Sequence, residues 1–339
     1  VRDAYGNVNS TATVSWSTTG GSISSSGVLT AQTTAATGKY VNATSGAASA
    51  SVLVDIIAAA PASVTVSPGI AGVAAGGSAS FTATVRDTYG NVNATAGVTW
   101  TTTAGSITTG GVLTAQTTAQ TGRSVTATTT GSVAGSATVD VYAAAPSTVT
   151  VSPSTATLNT LATQQFTATV RDTYSNVNST ATVSWSATRG GITQGGLYTA
   201  PTTTGADTVA ALSSGVTGTA SVTVQKTIHI TTMVSYKSNA TSESFVKGVD
   251  TVEIRTTVVD HLGNAVSGAS VTMQWLRPNG NLDHTDTLTT ATNGTARAYY
   301  TLPNGASPGV WSGSVTALSG TNMVRTTDTT TTDTFSVTS

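Results

Sequence analysis

Valine alternates with threonine or serine through most of this chain. Residues 63–67 read SVTVS and residues 81–85 read FTATV. GVTW (97–100), GGVLTA (110–115), SVTAT (124–128) and ATVDV (137–141) continue the pattern, each run 4–6 residues long and bounded by Gly, Asn, Asp or Pro. A period of two places one set of side chains on a buried face and the other in water, which is the signature of a strand. Thr and Val are stiff at χ1 and favour the pleated sheet. Apolar residues at helical spacing are absent, so the pattern predicts an all-β protein.

The pattern itself repeats. VRDAYGNVNSTATVSW opens the chain, VRDTYGNVNATAGVTW occupies 85–100, and VRDTYSNVNSTATVSW occupies 170–185. Trp16 to Trp100 is 84 residues and Trp100 to Trp185 is 85. Pro61 and Pro146 are also 85 apart. A period this long is a whole small domain, not a solenoid turn. Six or seven short strands per period predict an immunoglobulin-like β-sandwich. In that fold Trp16, Trp100 and Trp185 are expected in the core, between the sheets.

The expected domains are 1–60, 61–145, 146–226 and a divergent fourth, 227–339, in which Trp275 takes the tryptophan place and VVDHLGNAV echoes the turn. The linkers DIIAAAPASV (55–64) and DVYAAAPSTV (140–149) are short, and their proline fixes φ. They predict a semi-rigid elongated rod on the order of 120–150 Å long. AAAP is missing at the entry to 227–339, so a stiffer or bent junction is expected there.

The first copy starts inside its own pattern. In the second, PASVTVSPGIAGVAAGGSASFTAT (61–84) precedes Val85, and nothing equivalent precedes Val1. The first domain is therefore expected to lack its first strands and to show a bare sheet edge. Two readings stand: an excerpt from a longer array, or a gap into which a neighbouring subunit inserts strands.

V-R-D-x-Y-G-N, a following VxW, then GxLTA or GLYTAP (196–201), resemble the bacterial Ig-like domains found in tandem in invasin- and intimin-type adhesins and related surface proteins. The 227–339 segment resembles the invasin-type subgroup. The resemblance covers nearly the whole chain. It implies the sandwich fold and a place on the cell surface, but leaves open stalk, filament, surface layer, phage fibre or spacer of a secreted enzyme.

Composition narrows the chemistry. Only 8% of the 339 residues are charged, against about 25% in ordinary soluble proteins. Such a surface associates readily unless neighbours or glycans cover it. A net charge of -1 excludes a basic field for nucleic acid. There is no Cys, so thiolate catalysis and thiolate metal sites are out. No apolar run is long enough for a membrane-spanning helix. Hydrolase, zincin and phosphate-loop motifs are absent, and no cofactor or catalytic residue is expected. His229, His261 and His284 read as solvated or half-buried side chains.

Two recurring polar features remain. D-x-x-x-N-x-N occurs at Asp3, Asp87 and Asp172. Clustered oxygens make a weak Ca²⁺ candidate, set against plain turn chemistry, since each loop offers a single carboxylate. N-x-[ST] sequons occur at Asn9, Asn42, Asn93, Asn178, Asn239 and Asn293, and Asn9, Asn93 and Asn178 share one place in three repeats. They are glycan acceptors if the chain is exported by a glycosylating cell. The expected function is structural and extracellular: a filament, surface layer or stalk built with copies of itself. The alternative is an adhesin whose last domain binds a receptor or glycan through Trp275, Trp311, Tyr299 and Tyr300, or a spacer of a phage fibre or secreted enzyme.

Overall fold

The structure, a computed structural model, describes residues 1–237, 244–326 and 331–338. Every regular element among them is a strand, and the chain is a tandem series of Ig-like β-sandwiches. The alternation seen in the sequence sets the faces. In the strands Gln120–Thr129 and Ala134–Tyr142, Val125, Ala127, Ala137, Val139 and Val141 point inward and are buried, while Thr138 faces water. The chain divides into two compact units, Val1–Ser147 with Val170–Thr180, and Thr148–Thr169 with Ala181–Ser339.

In the first unit, residues 61–145 give the complete sandwich. Val98–Thr102, Gln120–Thr129 and Ala134–Tyr142 run antiparallel, and Ile70–Ala74 joins the last of them in parallel. Against this sheet lie the pair Pro61–Ser67/Thr82–Asp87 and the triplet Gly105–Ile107, Val112–Ala115 and Ser78–Ser80. Val64, Val66, Phe81, Val85, Leu113, Val125 and Val139 fill the space between. Full burial of an aliphatic or phenyl side chain stabilises by about 1.5–3 kcal/mol each.

Residues 1–60 form only the rear of such a sandwich. Ser15–Thr18, Ala36–Ser45 and Ala48–Ile56 make one sheet, and Gly21–Ile23 pairs with Leu29–Ala31. Among residues 1–60 no strand lies where Pro61–Ser67 and Thr82–Asp87 lie in the second repeat.

The four tryptophans differ in depth. Trp275 is fully buried. Trp100 and Trp185 are half-buried, and Trp16 is 37% exposed. The repeat tryptophan sits on the strand at the sheet edge, so its ring packs against the core cluster from the side. Its platform is a glycine: a Cβ on Gly111 would lie 3.1 Å from the Trp100 ring, and one on Gly196 3.2 Å from Trp185. Trp16 has the matching Gly27 beneath it.

In the second unit, Ser184–Ala187, Gly205–Ser213 and Val216–Lys237 run antiparallel, with Thr155–Asn159 parallel to the last. Phe166 meets Tyr198 edge-on at 6.1 Å. Val216–Lys237 is one strand of 22 residues serving two sandwiches. Its residues 216–224 pair with Gly205–Ser213, and its residues 228–237 pair with Thr251–Asp260. The absent AAAP linker is thus replaced by unbroken strand. The last sandwich closes over Trp275, Trp311, Phe245, Phe335, Ile254 and Met273.

Gly111 carries a φ of +79°, and a Cβ there would meet the Phe81 carbonyl oxygen at 2.4 Å. Gly111→Ala is expected to destabilise its sandwich by more than about 1 kcal/mol. Calorimetry of the full chain checks this: one transition should move down by several degrees while the others stay.

Candidate functional site

The loop R-D-x-Y-[GS]-N-x-N builds itself from short-range bonds. Asp87 Oδ1 accepts from the backbone amides of Tyr89 at 2.9 Å and Asn91 at 2.8 Å. The Asp87 amide donates to the Asn91 carbonyl at 3.0 Å, and Arg86 Nη1 donates to the Gly90 carbonyl at 2.7 Å. This is Asx-turn chemistry, in which a short side chain imitates the backbone. Asp3 and Asp172 repeat it with Tyr5, Asn7, Tyr174 and Asn176.

At two of the loops the remaining polar atoms reach outward and grip the preceding repeat. Asp87 Oδ2 accepts the Ala59 amide of the linker at 2.9 Å and the Asn91 side-chain amide at 2.8 Å. Asn91 Nδ2 donates to the Thr33 carbonyl at 2.8 Å, and its Oδ1 accepts the Ala35 amide at 3.0 Å. Asn93 Nδ2 donates to the Ala59 carbonyl at 3.2 Å. One loop therefore holds both the linker and the rim of the repeat before it. The second copy matches. Asp172 Oδ2 accepts the Ala144 amide at 2.8 Å, Asn176 bonds the Thr117 carbonyl at 2.8 Å and the Ala119 amide at 2.9 Å, and Asn178 reaches the Ala144 carbonyl at 3.4 Å. These contacts all lie within the first unit.

The electrostatics follow from burial and donors together. Asp87 and Asp172 are almost wholly buried. Burial pushes their pKa upward, but the Asn side-chain amide, the linker amide and the turn amides outweigh it, and both stand below the ordinary 3.8. The loop is thus ionised at neutral pH, with donors placed around the charge.

The loop opening the chain has the turn without the grip. Asp3 bonds only Tyr5, Asn7 and Gly6 within its own turn, and Tyr5 is fully in solvent. The fourth version of the loop uses a cation. Asp260, nearly fully buried, accepts from Leu262 and Asn264 amides at 2.9 Å and pairs with Lys226 Nζ at 3.3 Å. The His261 amide donates to the Thr227 carbonyl at 3.1 Å.

For the metal candidates Asp87 and Asp172, the oxygens needed by Ca²⁺ are occupied by N–H donors; Asp3 shares its turn bonds alone. Among the described residues no group of three or more His, Asp or Glu side chains is placed to hold a metal ion. The sequons separate by place. Asn93 and Asn178 have their side-chain nitrogens on linker carbonyls, and Asn42 lies half-buried in the strand Ala36–Ser45. Asn9 and Asn293 are exposed on turns, with Thr11 and Thr295 hydroxyls donating to their Oδ1. Asn239 lies outside the described residues. His229 is on the strand Val216–Lys237, and His284 stacks on Trp275 at 5.5 Å with Asp286 at 3.2 Å from Nε2.

Two features escaped the sequence reading. The rim T-T-A at 33–35 recurs at 117–119, but becomes T-T-T at 202–204. There Arg189 turns back onto its own repeat, with Nη2 donating to the Thr203 and Thr204 carbonyls at 3.1 Å. Asp207 is the other. It is buried and accepts Tyr198 Oη at 2.7 Å and the Gly190 amide at 2.6 Å. Burial and that hydrogen bond raise the Tyr198 pKa; burial opposes ionisation of Asp207, but its donors hold it well below the carboxylate range. In the second repeat Leu113 and Arg123 stand at the matching strand positions, so the signal was a joint departure from the repeat.

No family model matches the chain, and no curated protein matches it. Solved structures do. The Escherichia coli adhesin FdeC aligns at 17% identity over 84% of this chain and 100% of its own, with a TM-score of 0.40. Invasin, a bacterial integrin-binding protein, aligns at 18% over 93% of this chain and 71% of its own, TM-score 0.41. Domains 1–6 of the surface layer protein SbsC align at 17% over 86% and 45%, TM-score 0.24. The likeness is one of fold, to bacterial tandem Ig-like domains.

Asn91→Ala removes two bonds to the preceding rim and the Nδ2 bond to Asp87 Oδ2, and keeps the backbone-amide bonds that close the Asp87 turn. It is expected to weaken that junction by about 1–2 kcal/mol. Proteolysis within residues 56–61 should then run about 5–30-fold faster, with unchanged melting of the sandwiches. The two carboxylates also set a pH dependence. Their folded pKa values are depressed, so their stabilisation is full above 3.8 and is lost as pH falls through the folded values. Junction protection against an acid-active protease should be flat from about pH 7 to 5 and should drop below about pH 4.

Proposed function

We propose that this chain is an extracellular structural element, a section of a filament, surface layer or stalk, working through stiff joints and contacts with copies of itself. The observation that carries this is the clasp. The same three side chains hold linker and rim at two successive repeats. A joint built twice to one pattern fits a device for fixing the angle between modules. Low charge supports association between copies, because few like charges oppose it.

The adhesin alternative needs an exposed aromatic platform in 227–339. Trp275 and Trp311 are in the core, Tyr300 is half-buried, and Tyr299 alone of the four is exposed. Tyr300, pushed up to about 12 by burial and by its bond to Asp283, behaves as a packed residue. These placements favour the structural reading. Glycans, if present, belong on Asn9 and Asn293, whose side chains are free of the clasp.

Protein isolated from the cells that make it tests this reading. Negative-stain microscopy should show ordered fibres or lattices, and peptide mapping should find hexose-bearing masses on the peptides that hold Asn9 and Asn293. Monodisperse particles that stay single at high concentration and bind one glycan or receptor would replace assembly with adhesion. Unmodified Asn9 and Asn293 peptides would remove the glycans alone.

A further inference from the structure

The fourth sandwich keeps its charges off one face. The 227–339 segment holds about half of the chain's charged residues. One of its sheets is built from Ser244–Val246, Thr332–Thr338, Gly309–Ser319, Ser270–Leu276 and Leu282–Thr289. Among the described residues, no outward position of these strands holds Asp, Glu, Lys, Arg or His. The charged and titratable residues that the strands do carry are turned to the interior or the strand end. Asp286 Oδ2 accepts from Trp275 Nε1 at 2.8 Å, and His284 stacks on the same ring. Asp333 Oδ2 accepts the Ser235 amide at 2.6 Å, and Asp283 Oδ1 accepts from Arg277 Nε at 2.7 Å. The other sheet of the same sandwich does the reverse. Its outer face carries Glu253 with Arg255 and Arg297, whose guanidinium nitrogens lie 3.0 and 3.4 Å from the carboxylate.

The charge-free face offers hydroxyls. Val271, Met273 and Trp275 point into the core, so Thr272 and Gln274 between them point out. The strand register then lines up Thr285, Gln274, Ser314 and Thr332 as one row across four strands. Thr272 and Thr287 start the next row, with their hydroxyl oxygens 3.5 Å apart. On the other side of the first row Leu276 and Leu282 lie in register. Leu282 is 51% exposed and Val310 58%.

This chemistry limits what can cover the face. A buried hydroxyl left without a partner costs more than a hydrogen bond gains, which disfavours an apolar cover. A charged cover would find no counter-charge. A hydroxyl, however, is both donor and acceptor. A grid of them is therefore complementary to itself, as a two-fold contact between identical copies requires. The described outward positions carry no aromatic side chain of the kind that lines ligand sites. Size points to the same partner. Five strands about 4.8 Å apart and about seven residues long, at 3.3 Å each, give roughly 20 by 23 Å, or ~450 Å² per copy. A standard specific interface takes about 800 Å² per copy, and incidental contacts less than about 400 Å². Pairing of the faces is thus weak, with a Kd on the order of 10–100 μM.

We propose that two copies of the chain pack these faces together about a two-fold axis, with hydroxyl rows against hydroxyl rows and Leu276, Leu282 and Val310 as an apolar margin. The inference rests on the assembly reading and names the surface that makes the contact.

Sedimentation velocity of the full chain from about 1 to 300 μM should show a monomer–dimer equilibrium. Thr285→Lys with Ser314→Lys sets like charges where the copies meet and should weaken the dimer by at least about 10-fold. Calorimetric melting should stay in place, because both side chains lie outside the core. Thr257→Lys with Thr295→Lys adds the same charge to the opposite face and should leave the dimer as it was. Mixing the Lys pair with a Thr285→Glu, Ser314→Glu chain should restore a dimer tighter than the unsubstituted one, since opposite charges then meet. A dimer indifferent to the Thr285 and Ser314 substitutions overturns the proposal, as does equal loss with the Thr257 and Thr295 pair, or no recovery on mixing. A chain that stays monomeric throughout also overturns it. Retention of that monomer on cellulose, lost with the Thr285 and Ser314 substitutions, would give the face to a polysaccharide instead. Ordered fibres from native material, beside a dimer that ignores these substitutions, would leave the assembly reading standing on another surface.

Discussion

The carboxylate of Asp87 serves two structures at once. One oxygen closes its own turn through the Tyr89 and Asn91 amides, and the other takes the Ala59 amide of the linker. The turn therefore cannot form without presenting an acceptor to the linker, and the linker cannot swing away without stranding a buried carboxylate. An unpaired buried charge is costly, more so than a neutral hydrogen bond is favourable. Asp172 applies the same coupling one repeat later with Ala144. The hold on these linkers thus comes from local turn chemistry. It needs no large apolar interface, and a chain with few charges has few ion pairs to offer in its place.

The fourth repeat solves the same problem with different parts. Its loop keeps Asp260, but the linker amide gives way to Lys226, and a single strand runs through from one sandwich to the next. Arg189 meanwhile bonds the Thr203 and Thr204 carbonyls of its own rim, one and two residues past Thr202, the position that matches Thr33 and Thr117. Loss of AAAP, loss of the rim alanine and arrival of Arg189 are three sequence changes with one physical result: the joint is made by strand continuity and a salt bridge.

Much of this was legible beforehand. The period of 84–85 residues, the strand alternation and the tryptophan's place in its strand are all consequences of side-chain pattern. The depth of Trp16 and Trp100 was not legible, because depth depends on what covers an edge strand, and periodicity reports only which side a residue faces. The Asp and Asn of the loop stood out as a recurring set, and turn chemistry was one of the two readings. Their partners did not stand out. Ala59, Thr33 and Ala35 take part through backbone amides and carbonyls, which leave no residue-type signature. Asp207 and Tyr198 showed only as a pair of departures from Arg123 and Leu113.

Native-state hydrogen exchange tests the central claim most directly. If the loop locks the linker, the Ala59 and Ala144 amides, which lie outside every strand, should exchange about as slowly as amides in the middle of Gln120–Thr129. Exchange of Ala59 and Ala144 at the rate of an open chain, while those strand amides stay protected, would show linkers free in solution and contradict the account.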